Sequence, residues 1–155
     1  MAGLFKSKQD KELDVQVMRV GSALHKQVAA ANEGIKQTRD KKSLNRMNAT
    51  FTAGYMFGYV QSEFSEFSLP EKKMNECMKK IFDGIFLNEG YSFVMSKIDE
   101  MSNSDQMGMS LVMEKTATEF GLGMDMGSDD AMKIKKGEAE AVTGLTDFIL
   151  TGKME

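Results

Sequence analysis

Apolar residues recur at helical steps along residues 9–38. Leu13, Val17, Val20, Leu24, Val28, Ala31 and Ile35 are spaced by 4, 3, 4, 4, 3 and 4 positions. This pattern repeats every eleven residues, about 3.67 per turn, and needs almost no supercoiling. Glu12, Arg19, Lys26 and Glu33 mark the opposite, polar face. The spacing predicts a one-sided amphipathic helix from about Gln9 to Thr38, roughly 45 Å long at the α-helical rise. A compact domain of this size is about 40 Å across. The helix therefore crosses the whole domain, protrudes, or bends at Gly21 or Gly34. Residues 1–8 are expected to form a flexible N-terminus.

The pattern changes over residues 43–67. Leu44, Met47, Phe51, Tyr55 and Gly58 share one helical face, while Ala49, Ala53, Met56, Val60, Phe64 and Phe67 lie nearly opposite. A helix apolar on two sides is sandwiched between neighbours, so this segment is expected to be the central helix. Gly54 and Gly58 each cost a helix about 1 kcal/mol relative to Ala. Close approach of a crossing helix would offset that cost. A membrane-type small-residue motif would need a spanning segment, and no run of about 18 apolar residues exists.

Ser68-Leu69-Pro70-Glu71 reads as a boundary with a capping Ser and a tolerated first-turn Pro. The next helix carries Met74, Cys77, Met78, Ile81, Phe82, Ile85 and Phe86 and is expected to stop near Asn88-Glu89-Gly90. A shorter helix follows with Tyr91, Val94, Met95, Ile98 and Met101 on one stripe, then another from about Asp105 to Phe120. Gly121 to Asp130 reads as a glycine-rich loop. A last helix is expected from Ser128 or Asp129 to Leu150, with Ala131, Ile134, Ala141, Leu145, Phe148 and Ile149 inward. Its Gly137, Ala141 and Gly144 suggest a second close crossing. No alternating runs or hairpin signals occur. The expected fold is all-α: a single-domain bundle of five to six helices around the two-sided helix.

Composition sharpens this picture. Of 155 residues, 15 are Met, against one His, one Cys, one Pro and no Trp. Methionine is an adaptable apolar filler. Seventeen Lys against three Arg, with 14 Gly, suggest little selection for heat stability. The lone Cys77 forms no intrachain disulfide and reads as a small buried hydrophobe. Lys73 and Lys80 are close enough in sequence to lower its pKa if it were a reactive thiol. No signal-peptide core or N-myristoylation pattern is present, so the expected compartment is the cytoplasm.

Charge is uneven: residues 1–48 balance to +5 and residues 49–155 to −8. Lys36, Arg39, Lys41, Lys42 and Arg46 form the densest basic stretch. It reads as a solvated helix end and turn, with contact to an acidic partner as the functional alternative. No aromatics interleave with these charges, which argues against a single-strand nucleic-acid platform.

Catalytic signals are weak. Gly121-Leu122-Gly123-Met124-Asp125-Met126-Gly127 lacks the preceding strand and the Gly-Lys-Ser/Thr of a phosphate loop. Asp125, Asp129 and Asp130 lack the ligand alternation of a calcium loop, and the twelfth position is Lys136. The Met-X-Met pairs at 107/109 and 124/126 are the soft donors that suit Cu(I), but several fall on apolar stripes. His25 alone cannot furnish a zinc or di-iron ligand set. No catalytic residues, cofactor or metal are therefore expected.

The leading expectation is a non-catalytic interaction or regulatory module, partnered by a protein or by a second copy of the chain. The alternative is a bundle binding an apolar or aromatic small molecule, with Tyr55 and Tyr59 as polar handles. Candidate contact residues are Tyr55, Tyr59, Met56, Met107, Met109 and Met113, with the five basic residues as the acidic-partner patch. An enzyme using carboxylates and tyrosines without His ranks third.

Overall fold

The long first stripe forms one unbroken helix. In the structure, a computed structural model describing residues 7–102 and 110–154, α1 runs from Lys8 to Thr38. Ser7 caps it, its hydroxyl accepting from the Asp10 N–H at 3.1 Å. Arg39 ends it in the left-handed region, φ 55°. Leu13, Val20, Leu24, Val28 and Ala31 are buried as the spacing requires, together with Gln27, which the apolar pattern passes over. Of the expected flexible N-terminus, residues 1–6 lie outside the described residues, while Ser7 and Lys8 belong to the capped helix start.

The expected helix over 43–67 is divided. α2 (Lys41–Arg46) is capped by Asp40 and followed by a turn; α3 (Thr50–Phe64) follows, then a 3₁₀ turn, Ser65–Phe67. The break falls at Met47-Asn48-Ala49, where Asn is a weak helix former. At the turn the Arg46 carbonyl accepts from the Ala49 N–H at 3.1 Å and from the Thr52 hydroxyl at 2.7 Å. Within α3 the two-sided expectation holds: Phe51, Ala53, Tyr55, Met56, Tyr59, Val60 and Phe64 are all buried, on every side of the helix. Phe51 stacks on Phe148 with ring centroids 4.2 Å apart.

α4 (Glu71–Ile85) turns Cys77, Met78, Ile81 and Phe82 inward. It has no side-chain cap, and Ser68 adopts a left-handed conformation instead of capping. Gly90 opens α5 (Gly90–Ser102) instead of closing α4, because a Cβ there would overlap the Phe82 carbonyl. Asp83 joins the two helices, accepting from the Tyr91 N–H at 2.9 Å and from Lys79 at 2.6 Å.

The largest departure from the sequence reading is α6 (Ser110–Lys135), which runs straight through the expected 121–130 loop. Its glycines serve contact with α3. A Cβ at Gly54 or Gly58 would overlap the carbonyls of Phe120 and Met124, and one at Gly123 or Gly127 would overlap those of Phe51 and Tyr55. Two Gly-X-X-X-Gly faces therefore interlock, and their pairings advance together, so α3 and α6 run in the same direction. This is the small-residue packing of membrane helix pairs, used here inside one chain. Backbones this close bring glycine Cα–H groups against carbonyl oxygens.

The expected last helix, 128 or 129 to 150, is also corrected. α6 stops at Lys135, Gly137 takes a left-handed φ of 71°, and residues 136–143 form a non-helical strap. α7 (Gly144–Thr151) follows. Ala131, Leu145, Phe148 and Ile149 are buried as expected, whereas Ala141 is exposed and Gly137 meets nothing within 4 Å. The supposed stripe of small residues at 137, 141 and 144 is not a helical face. Among the described residues there are seven α-helices and no strand, packed around one apolar core. No helix there is long and apolar enough to cross a membrane.

Candidate functional site

Gln27 sits in the buried stripe of α1, and its side chain ties α1 to α7 and α3. Its Oε1 accepts from the Leu145 N–H at 2.9 Å and the Thr146 N–H at 3.4 Å. Its Nε2 donates to the Tyr55 hydroxyl at 2.9 Å. Tyr55 in turn donates to Asp130 Oδ2 at 2.6 Å. Helix N-termini leave N–H groups without intrahelical partners, and Thr143 gives α7 no side-chain cap. Gln27 supplies that cap from α1. Burial first, and then the Asp130 charge, raise the Tyr55 pKa well above the ordinary phenol value. The residue is a neutral donor holding α3 to α6.

One turn along α3 the pattern differs. The Tyr59 hydroxyl is buried and has no hydrogen-bond partner among the described residues. Its pKa is pushed up to about 12, mainly by burial and then by Glu63, with Arg19 opposing. Glu63 is only 1% exposed. Its Oε2 pairs with Arg19 and accepts from Gln16 Nε2 at 3.2 Å, whereas its Oε1 is unpartnered among the described residues. Arg19 is braced by Gln16 Oε1 at 2.8 Å. Leaving a buried polar atom unpaired costs about 1–3 kcal/mol, and among the described residues Tyr59 and Glu63 carry the buried side-chain atoms left so.

Tyr59 lies at the floor of a cleft of about 520 Å³. One wall is α1, through Arg19, Ala23, Lys26 and Ala30; the other is the strap, through Glu140, Ala141, Val142 and Thr143. Gln27 and Thr146 complete the floor beside α7, and Ile134 closes one end. A second cleft of about 560 Å³ lies across the same strap, lined by Asp125, Asp129, Asp130 and Asp147 with Lys133 and Lys153. Among the described residues no three His, Cys, Asp or Glu side chains are grouped to hold a metal ion.

Of the residues expected to form a contact surface, Tyr55, Met56 and Tyr59 are fully buried. Met107 and Met109 lie outside the described residues, as does the Met113 side chain. Lys36, Arg39, Lys41 and Lys42 are exposed near the α1–α2 junction. Arg46 turns inward instead. It donates to the Ile149 carbonyl at 2.8 Å and the Leu150 carbonyl at 3.2 Å, capping the C-terminus of α7. Cys77 is buried; desolvation raises its thiol pKa despite Lys80 and Lys73. His25 is exposed on α1.

No family model matches the chain, and no curated protein or solved structure matches it either.

The burial of Gln27 and Glu63 is passed over in the sequence pattern, and Asp130 figures there only as a rejected calcium ligand. Each is a polar residue at an inward helical position: Gln27 between Leu24 and Val28, Glu63 one turn beyond Tyr59, and Asp130 beside Ala131. That placement was the available signal. Chemically, the cleft offers the hydroxyl-bearing Ser22, Tyr59, Thr143 and Thr146, apolar alanine and valine surface, and the charged Arg19, Lys26 and Glu140.

Proposed function

We propose that this protein is a non-catalytic helical module that binds a small molecule in the cleft over Tyr59. The observation that carries the reading is Tyr59, whose buried hydroxyl is unpaired among the described residues and which lines a cleft of about 520 Å³. Ligand sites are typically concave, mostly apolar, and fitted with a few well-placed polar groups. Ala23, Ala30, Val142 and Ile134 supply the apolar part here. The buried, thiol-bearing Cys77 suits a reducing compartment such as the cytoplasm. Fragment screening by amide NMR tests the reading: hits should shift Ala23, Ala30, Ala141 and Val142 together. Hits scattered over other surfaces, or none, would refute it.

The interaction-module reading retains one support. Val15 and Met18, three positions apart on α1, are 65% and 74% exposed. Methionine is common on adaptable contact surfaces. Light scattering on the wild type and on Met18→Glu separates the cases: self-association through this face should be lost in the variant, and a monomeric wild type removes it.

A further inference from the structure

We propose that the basic end of the bundle, built from the α1–α2 junction, docks on an anionic lipid surface without crossing it. The inference is independent of the cleft over Tyr59. α2 is pinned from within. Ser43 is buried and its hydroxyl donates to Asp40 Oδ2 at 3.1 Å, while Arg46 is turned onto the last carbonyls of α7. With those two residues inward, the short helix leaves Lys41, Lys42 and Leu44 exposed. Lys36 and Arg39 are exposed at the adjoining end of α1. Leu44 is 55% exposed. Its helical spacing from Phe51 predicts a core position, and the structure leaves it in solvent beside these cations. Anions between residues 33 and 48 are limited to Glu33 and Asp40. Glu33 is itself exposed, 3.5 Å from Lys36, and such surface pairs contribute little. Asp40 is engaged by the Lys42 N–H, the Ser43 hydroxyl and Arg46.

Four solvated cations beside an exposed leucine match a surface that carries diffuse negative charge with apolar matter just beneath it. The headgroup boundary of an anionic leaflet is such a surface. A nucleic acid would satisfy the cations but offers Leu44 little, and residues 33–48 contain no aromatic ring on which a base could stack. Three of the four cations are lysines. Lysine acts as a point charge and suits a diffuse surface, whereas the arginine fork suits bidentate phosphate contacts. The rest of the chain supports the orientation. Residues 49–155 balance to −8 and are repelled by the same leaflet, which turns the basic end toward it.

Cosedimentation of the full chain with lipid vesicles tests the proposal. Vesicles of phosphatidylcholine alone are compared with vesicles in which about one third of the lipid is phosphatidylserine. The chain should bind the second kind, leave the first in solution, and be released at about 0.5 M salt, where surface charges are screened. Each cation near an anionic surface raises partitioning about fivefold, so Lys41→Ala with Lys42→Ala should lower it about 25-fold. Lys72→Ala with Lys73→Ala changes the charge equally on exposed positions of α4 and should leave binding nearly unchanged. Leu44→Ser should weaken binding at every salt concentration. Circular dichroism melts matching the wild type show that each variant is folded. Absence of phosphatidylserine-dependent binding would overturn the proposal. Equal losses from the two lysine pairs would show that net charge acts, not this surface. Binding to a DNA duplex or to poly-glutamate through Lys41 and Lys42, with Leu44→Ser silent, would assign the patch to a soluble polyanion and overturn the lipid reading. None of these outcomes touches the cleft over Tyr59.

Discussion

Substituting alanine for glycine on α6 should change sign within three residues. Gly121 has nothing within 4 Å of an added Cβ. Gly121→Ala therefore gains only helix propensity and should stabilise the protein by about 0.5–1 kcal/mol. Gly123→Ala gains the same propensity, but its Cβ overlaps the Phe51 carbonyl and crowds the Tyr55 N–H. Both are backbone atoms of a helix buried on all sides, so no side-chain rotation relieves the clash. α3 and α6 must separate, and overpacking of this kind costs about 1–3 kcal/mol, occasionally more. The rigid obstacle places Gly123→Ala at the upper end, about 3 kcal/mol before the propensity gain. A net loss of about 2 kcal/mol should lower the melting midpoint by roughly 4–8 °C for a chain of this size. Gly58→Ala, facing the Met124 carbonyl, should behave like Gly123→Ala. Urea melts followed by far-UV circular dichroism compare the three variants directly. Equal stabilisation by Gly121→Ala, Gly123→Ala and Gly58→Ala would show that α3 and α6 do not touch through these glycines.

Tyr55→Phe removes the donor to Asp130 and the acceptor of Gln27 and should cost about 1–3 kcal/mol. Tyr59→Phe breaks no hydrogen bond among the described residues; in the same urea melts it should be neutral or stabilising, and a loss comparable to Tyr55→Phe would show that Tyr59 has a partner. Because the folded pKa of Tyr59 is raised from 10.0 to about 12, its contribution is fully present below about pH 10 and declines through about pH 12; stability against pH, measured as a difference between wild type and Tyr59→Phe, should show that decline in the wild type. Phe51→Ala, which removes a buried ring stacked on Phe148, should cost about 3–5 kcal/mol, and an unchanged denaturation midpoint would contradict its place in the core.

Much of the architecture was legible because it rests on periodicity. The stripe from Leu13 to Ala31 is buried as spaced, and Phe51, Tyr55, Val60 and Phe64 all face the interior of a helix with no outside. The close approach at Gly54 and Gly58 was also readable, since two glycines one turn apart in an apolar helix need a reason. What failed was the identity of their partner. Gly121, Gly123 and Gly127 carry a local preference for loops, and only the facing helix turns Gly123 and Gly127 into contact positions. Treating that stretch as a loop displaced the last helix, hid the break at Gly137 and concealed Asp130 on the buried face. At the division near Asn48 the Arg46 carbonyl is taken by the Ala49 N–H and the Thr52 hydroxyl, a local detail that periodicity does not carry. The cleft was illegible for a related reason. Its polar residues are scattered over α1, α3 and the strap, and only folding brings Arg19, Tyr59 and Glu140 to one cleft.

The parallel pairing of α3 with α6 also constrains the order of assembly. The all-round apolar α3 leaves the ribosome well before the glycines that receive it, with α4 and α5 synthesised in between. Until Gly123 and Gly127 emerge, one whole side of the nascent central helix has no native companion. Contacts so distant in sequence form slowly, and apolar surface exposed in the meantime invites aggregation. Truncation before Gly123 should therefore yield a sticky intermediate that chaperones hold, not a smaller folded bundle.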